Sequence, residues 1–143
     1  MKPENLAGVL GSRIPPAPVV GAKRLKLSLE AQAGGAVVLH CEGRISFGPE
    51  ARSLTDMVAD VLPSARRMVV NLAGVEIVDS AGLGELVLLY MWAEAAGYVL
   101  KFASPRNSVR QLLELTNLSA VFDAYGSVSE AMAAMYQEQV CTA

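Results

Sequence analysis

The chain has 143 residues, 52% of them hydrophobic and 18% charged, with a net charge of −2. That length suits one domain with its own core. The apolar content excludes disorder over most of the chain, and the lack of a positive field excludes broad attraction to nucleic acid or anionic lipid.

The charge is uneven. Residues 1–44 carry six Lys/Arg against three acids, and residues 111–143 carry four acids and no base. We read this as a mild polarity of the surface. Residues 1–22 hold four of the seven prolines and three glycines. Ile14-Pro15-Pro16-Ala17-Pro18 reads as an extended lead-in, so 1–22 is a Pro/Gly-rich arm and 23–143 a single domain. Arg13 and Pro15-Pro16 interrupt the weak apolar run from Leu6, so no secretory signal is expected.

Order begins near Arg24. Leu25, Leu27 and Leu29 alternate with Arg24, Lys26, Ser28 and Glu30, the period of a half-buried strand. Gly34-Gly35 signals a tight turn, and Val37, Leu39 and Cys41 alternate with Val38, His40 and Glu42 in a second strand. After Gly48-Pro49, the residues Leu54, Met57, Val58, Val61 and Leu62 form one helical stripe. Pro63-Ser64 is expected to stop it. Met68–Leu72 is nearly all apolar, as in a strand covered on both faces and paired in parallel. Residues 73–78 read as a short connector.

Next come Asp79-Ser80-Ala81-Gly82-Leu83-Gly84 and an apolar helix from about Ala81 to Ala96, closed by Gly97. Its apolar run Leu86–Ala93 lies between Glu85 and Glu94, far short of the ~20 residues that span a bilayer. Residues 98–103 are a further strand. Ser104-Pro105 reads as a helix start, with Val109, Leu112, Leu113 and Thr116 as the stripe. Val121–Tyr125 is a short last strand. Ser127 and Glu130 make a capping box, followed by Ala131, Met132, Met135 and Tyr136 on the closing helix. The order β-β-α-β-α-β-α-β-α predicts an α/β fold: a mixed sheet of four to five strands flanked by about four helices.

Catalytic chemistry finds little support. The one histidine, His40, lies in a strand opposite Leu39 and Cys41, and no nucleophile elbow, P-loop or complete dinucleotide fingerprint occurs. Cys41 and Cys141 are far apart and form no metal-ligand pattern, so free thiols are expected. The reading is no enzyme, no catalytic residue, no metal and no cofactor.

The distinctive feature is Val78–Gly84. Asp79 or Ser80 can cap the free N–H groups of the following helix. Two glycines so early cost ~1 kcal/mol each against alanine, which suggests that a partner or another backbone segment comes close. A helix N-terminus also tolerates a phosphoryl group.

Here the sequence resembles the STAS domain, the anti-sigma-factor antagonist family, over about residues 24–136. Three blocks carry the likeness: residues 69–84, which end in Asp79-Ser80-Ala81-Gly82-Leu83-Gly84; residues 97–105; and residues 109–118 with Val121-Phe122-Asp123. The resemblance implies a STAS-like sheet and a non-catalytic protein that binds an anti-sigma factor, a serine kinase of the histidine-kinase-like ATPase fold. Such binding frees a sigma factor, phosphorylation of the antagonist breaks the complex, and a phosphatase restores it.

Carried onto this chain, the partner-binding residues are Asp79, Ser80, Ala81, Gly82, Leu83, Gly84 and Glu85. The family's usual phosphoacceptor falls on Ala81, which has no hydroxyl. Either Ser80 is the acceptor, or the protein is not switched by phosphate here and binds constitutively. Glu85 either faces the partner or is simply a first-turn acid. The leading reading is a cytoplasmic partner-switching module that regulates transcription, with no nucleic-acid binding and no membrane insertion. The alternative is a STAS accessory subunit of a membrane transporter or lipid-transport complex.

Overall fold

The computed structural model describes residues 25–46, 48–118, 122 and 124–142, with side chains as far as Gln137. The expected arm and the side chain of Cys141 lie outside the described residues. The elements are β1 (Lys26–Ala31), β2 (Val37–Ile45), α1 (Pro49–Ala65), β3 (Arg67–Val78), α2 (Ser80–Ala96), β4 (Val99–Ala103), α3 (Asn107–Leu115) and α4 (Val128–Thr142). The strands form one sheet in chain order. β1 and β2 pair antiparallel, and β2, β3 and β4 run parallel, so the expected mixed α/β sheet is present.

Two faces cover this sheet unequally. On one, α1, α2 and α3 bury the main core, which includes Leu39, Leu54, Val58, Leu62, Val70, Leu86, Phe102 and Phe122. On the other, α4 sets Ala131 and Met135 against Val38, Val69 and Ala103. Val38 and Leu39 point to opposite faces and both are buried. The second strand therefore departs from the simple alternation expected of it, because a helix lies on each side. Past α4 the second face opens. There His40 Nε2 meets Glu30 Oε1 at 2.7 Å, and Asn71 Nδ2 lies 2.9 Å from His40 Nδ1. The hydrogen bond from His40 holds the Glu30 carboxyl below its ordinary range. His40 is therefore a polar link on the open sheet face, consistent with its sequence position.

Several boundaries differ from expectation. α1 runs through Pro63 to Ala65. Pro63 sits in the last turn, and the helix closes when the Arg66 N–H, at φ 71°, bonds the Leu62 carbonyl at 2.6 Å. Proline there lacks the N–H that would bond the Ala59 carbonyl, and the helix closes within two residues. Residues 73–78 continue β3 as a strand, because they follow β2 through two irregularities of register near Cys41 and Gly43. Gly74 fits that irregular stretch, since a Cβ there would lie 2.7 Å from the Cys41 carbonyl oxygen.

β4 pairs only with Arg67–Asn71. Beyond it, Arg106 Nε donates to the Ala73 carbonyl at 2.9 Å and Ser108 Oγ to the Glu76 carbonyl at 3.2 Å, covering the strand edge. The third helix begins at Asn107, not Ser104. Ser104 has φ 59°, and its N–H donates to the Tyr125 carbonyl at 2.8 Å, so this residue belongs to the strand end. Of the expected last strand, a single parallel bridge joins Ala103 to Tyr125, and residues 119–121 and 123 lie outside the described residues. Glu130 N–H donates to Ser127 Oγ at 3.1 Å, one half of the expected capping box, while Glu130 Oε1 accepts from the Gly126 N–H at 3.2 Å, one residue before the Ser127 N–H that the box calls for. No helix among the described residues is long and apolar enough to cross a membrane.

Cys41 is free and buried in the main core, and burial pushes its thiol up from 9.0 to about 12. The thiolate is the reactive form, so the native thiol holds about a thousandfold less of it at pH 8. In a Cys141→Ser background, a thiol reagent at pH 8 is expected to leave the folded protein unlabelled and to take up one equivalent in guanidinium. Prompt labelling of the native state would contradict the burial of Cys41.

Candidate functional site

The site is built where β3 turns into α2. Asp79 ends the strand in extended geometry and caps the helix: its Oδ1 accepts from the Gly82 N–H at 2.7 Å. Asp79 N–H in turn donates to the Ile45 carbonyl at 3.2 Å, which ties the turn to the end of β2. Gly82 then lies against that same carbonyl. A Cβ on Gly82 would stand 2.0 Å from the Ile45 oxygen and 2.8 Å from its carbon. The close approach expected from the paired glycines is thus to a backbone within the fold, and it concerns Gly82 alone. At Gly84 a Cβ would meet nothing within 4 Å.

The seven predicted residues separate accordingly. Asp79, Ser80, Ala81 and Gly84 are exposed, while Gly82 and Leu83 are buried. Leu83 packs into the main core and so supports the turn from beneath. Ser80 is the first helical residue and Ala81 the second, so their side chains diverge by ~100° around the axis. Glu85 is half-buried and sixth in the helix, beyond the first turn, which sets aside its reading as a first-turn acid. It accepts a hydrogen bond from Thr55 Oγ1 of α1 at 2.8 Å.

That bond spans a groove between α1 and α2. The upper part, about 340 Å³, is lined by Gly48, Ala51, Arg52, Asp56, Ala81 and Glu85. Below the Thr55–Glu85 bond a second depression of about 300 Å³ is lined by Ala59, Leu88, Leu89 and Trp92. Leu88 is 61% exposed, Met91 58% and Trp92 37%. Ala81, Gly84, Leu88 and Trp92 follow roughly fourfold spacing, so one open stripe runs down α2 from the turn. The sequence hinted at this stripe in the all-round apolar character of α2. It gave no sign of Thr55, because a cross-helix partner requires tertiary packing.

Among the described residues, no group of three His, Cys, Asp or Glu side chains could hold a metal ion. What the turn offers is a rigid helix N-terminus with exposed backbone, flanked by an apolar stripe and carboxylates.

The whole is a small α/β domain: a four-stranded mixed sheet with helices on both faces and a capped strand-to-helix turn at one end. The chain belongs to the STAS domain family, whose pattern matches residues 29–131. A candidate anti-sigma factor antagonist of Thermotoga maritima is 36% identical over 61 residues, which is 43% of this chain; the chain spans about half, 54%, of that relative. The crystal structure of a candidate anti-sigma factor antagonist of the same organism superposes with a TM-score of 0.68 at 25% identity, covering 75% of this chain and 92% of the other. Two likenesses below that identity bear on the fold alone. The anti-sigma factor antagonist SpoIIAA, unphosphorylated, gives 0.63 at 18% identity over 78% and 97% of the two chains. A sulfate transporter family protein of Wolinella succinogenes gives 0.65 at 14% over 80% and 93%.

Gly82→Ala is expected to cost about 3 kcal/mol or more, because a backbone carbonyl cannot move aside as a side chain could. Gly84→Ala, with open space around it, is expected to be neutral or to stabilise by up to ~1 kcal/mol through helix propensity. Urea unfolding of the two variants checks the contrast, and equal midpoints would contradict the packing of Gly82 on Ile45.

Proposed function

We propose that the chain is an anti-sigma-factor antagonist that docks an anti-sigma factor, a serine kinase of the histidine-kinase-like ATPase fold, in a partner-switching pathway regulating transcription. The docking face is the exposed part of Asp79–Glu85 with the open stripe of α2. One observation carries the reading. The first turn of α2 is locked to the end of β2 through Gly82, yet Ser80, Ala81 and Gly84 remain exposed. A rigid and open helix N-terminus is a surface that needs little ordering on binding. The relatives named as anti-sigma factor antagonists support the same reading.

Gly84→Arg tests it. The substitution finds room on the folded domain but sets a long charged side chain in the docking face. With the kinase-type anti-sigma factor of the same cell immobilised, the wild type is expected to be retained and Gly84→Arg to lose at least ~2 kcal/mol, roughly thirtyfold in Kd. Equal retention of both would overturn this face as the interface.

The phosphate switch forms a separate part of the proposal. Ser80 carries the one hydroxyl of residues 79–85 and is exposed at the first helical position. A phosphoryl group there would sit on the positive end of the helix and add nearly two negative charges to the docking face. Incubation of the full chain with that kinase and ATP is expected to add one phosphate, abolished by Ser80→Ala. Incorporation that survives the substitution would refute Ser80, and no incorporation would make the docking constitutive.

The second reading, a separate STAS subunit of a transporter or lipid-transport complex, draws on the fold shared with the W. succinogenes protein. Co-purification with a membrane complex, in place of a kinase, would favour it.

A further inference from the structure

β1 is an outer strand of the sheet, and among the described residues no segment pairs with its free side. We propose that this edge pairs with the same edge of a second copy, antiparallel about a two-fold axis at Ser28, so that the two sheets join into one.

The backbone groups of β1 are turned the right way. In the hairpin, the Gln32 N–H donates to the Ala36 carbonyl at 2.8 Å. The register runs without a break from there to Lys26 opposite Glu42. Alternation therefore turns the N–H and C=O groups of Glu30 and Ser28 toward β2, and those of Leu27, Leu29 and Ala31 outward. A bulge or a proline commonly blocks such an edge, and Lys26–Ala31 has neither. At the other side of the sheet the edge is covered. Tyr125 bridges Ala103, and Arg106 and Ser108 reach the β3 carbonyls beyond β4.

The side chains are complementary to themselves. Residues directly opposed in an antiparallel pair lie on the same face of the sheet. With Ser28 opposite Ser28, Lys26 falls opposite Glu30 of the second copy and Leu27 opposite Leu29, and the two-fold axis repeats both pairs. On the apolar face, Leu27 packs against the main core while Leu29 is 44% exposed, so each Leu29 gains a fixed neighbour. Those two residues are also the ones whose outward backbone groups would bond across the axis. On the polar face, Lys26 stands opposite Glu42 in its own chain, and Glu30 Oε1 is held by His40 at 2.7 Å. A carboxylate accepts more than one donor, so Glu30 can also take the second copy's lysine. A slip of two residues in either direction moves Lys26 away from Glu30, so the charges select this register.

β2 separates this edge from β3 and the turn at Asp79. The pairing therefore stands apart from the docking proposed above and leaves one such turn on each copy. One strand from each chain makes a small interface, of the size found in transient contacts, so dissociation in the micromolar range is expected.

Sedimentation equilibrium of the full chain under reducing conditions tests the proposal. The wild type is expected to pass from monomer to dimer as its concentration rises and to stop there, because two-fold pairing uses up the edge. Leu29→Pro removes an outward N–H and is expected to stay monomeric, with the urea midpoint as a control for folding. Lys26→Glu and Glu30→Lys decide the matter independently of that control. Each alone sets like charges opposite one another twice and is expected to weaken the dimer about tenfold or more. Mixed together, the two variants restore opposite charges at both pairs and are expected to form a heterodimer. A wild type that stays monomeric up to ~1 mM would overturn the proposal, as would growth beyond the dimer. A dimer indifferent to the charge reversals, or no gain on mixing the two variants, would equally overturn it by placing the contact elsewhere.

Discussion

The contact between Gly82 and the Ile45 carbonyl is the constraint on which the exposed turn at the start of α2 depends. A helix that opens directly after a buried parallel strand must hold its first turn somewhere. Here the Asp79 N–H and the Gly82 backbone converge on one carbonyl at the end of the neighbouring strand. Asp79 Oδ1 then takes the Gly82 N–H, one of the donors that a helix start leaves without an intrahelical partner. The turn is thus fixed from below by backbone and from within by a cap. Leu83, turned into the core, leaves its neighbours no freedom to sink with it. Exposure of Ser80, Ala81 and Gly84 follows from that fixation and does not reflect loose packing.

The sheet places this turn at the edge of the covered region. β3 outruns β4, so its second half has a strand partner only on the β2 side. Arg106 and Ser108 reach across from the start of α3 to occupy two of the carbonyls left over. That arrangement lets β3 extend to Val78 without offering an open edge to other chains. It also carries the turn beyond β4, to the side of α1, whose residues line the groove with Ala81 and Glu85. The groove between them is a consequence: Thr55 and Glu85 bridge it by a hydrogen bond where closer-packed apolar side chains would have closed it.

Much of this was legible in the sequence because the signals were local. The apolar run at Met68–Leu72, the alternation of strands and helices, and the capping residues Asp79, Gly97 and Ser127 each act within a few residues. The signature residues at 79–85 also marked the turn. What failed depended on distant partners. Pro63 reads as a stop, yet the helix carries it in the last turn and ends two residues later at Ala65. Ser104-Pro105 reads as a cap, yet pairing with Tyr125 holds Ser104 at the strand end. The two glycines looked alike in the sequence. Only the position of Ile45 separates Gly82, which admits no side chain, from Gly84, which stands in open space.

The same geometry bears on why residue 81 can do without a hydroxyl. Ala81 lines the groove together with Asp56 and Glu85. A phosphoryl group at that position would gain from the helix N-terminus but would meet Asp56 of α1 across the groove and Glu85 one turn further along α2, where like charges oppose each other. Among the described residues that line the groove, Arg52 is the one cation to offset them. Ser80, one residue earlier and about 100° around the helix, is exposed and still adjacent to the positive end of α2. An alanine at 81 therefore adds no further charge beside Asp56 and Glu85 and leaves the adjacent Ser80 as the place where added charge meets less opposition. The proposed docking face and the proposed acceptor Ser80 are then neighbouring positions on one turn, held in a fixed relation by the packing of Gly82 on Ile45.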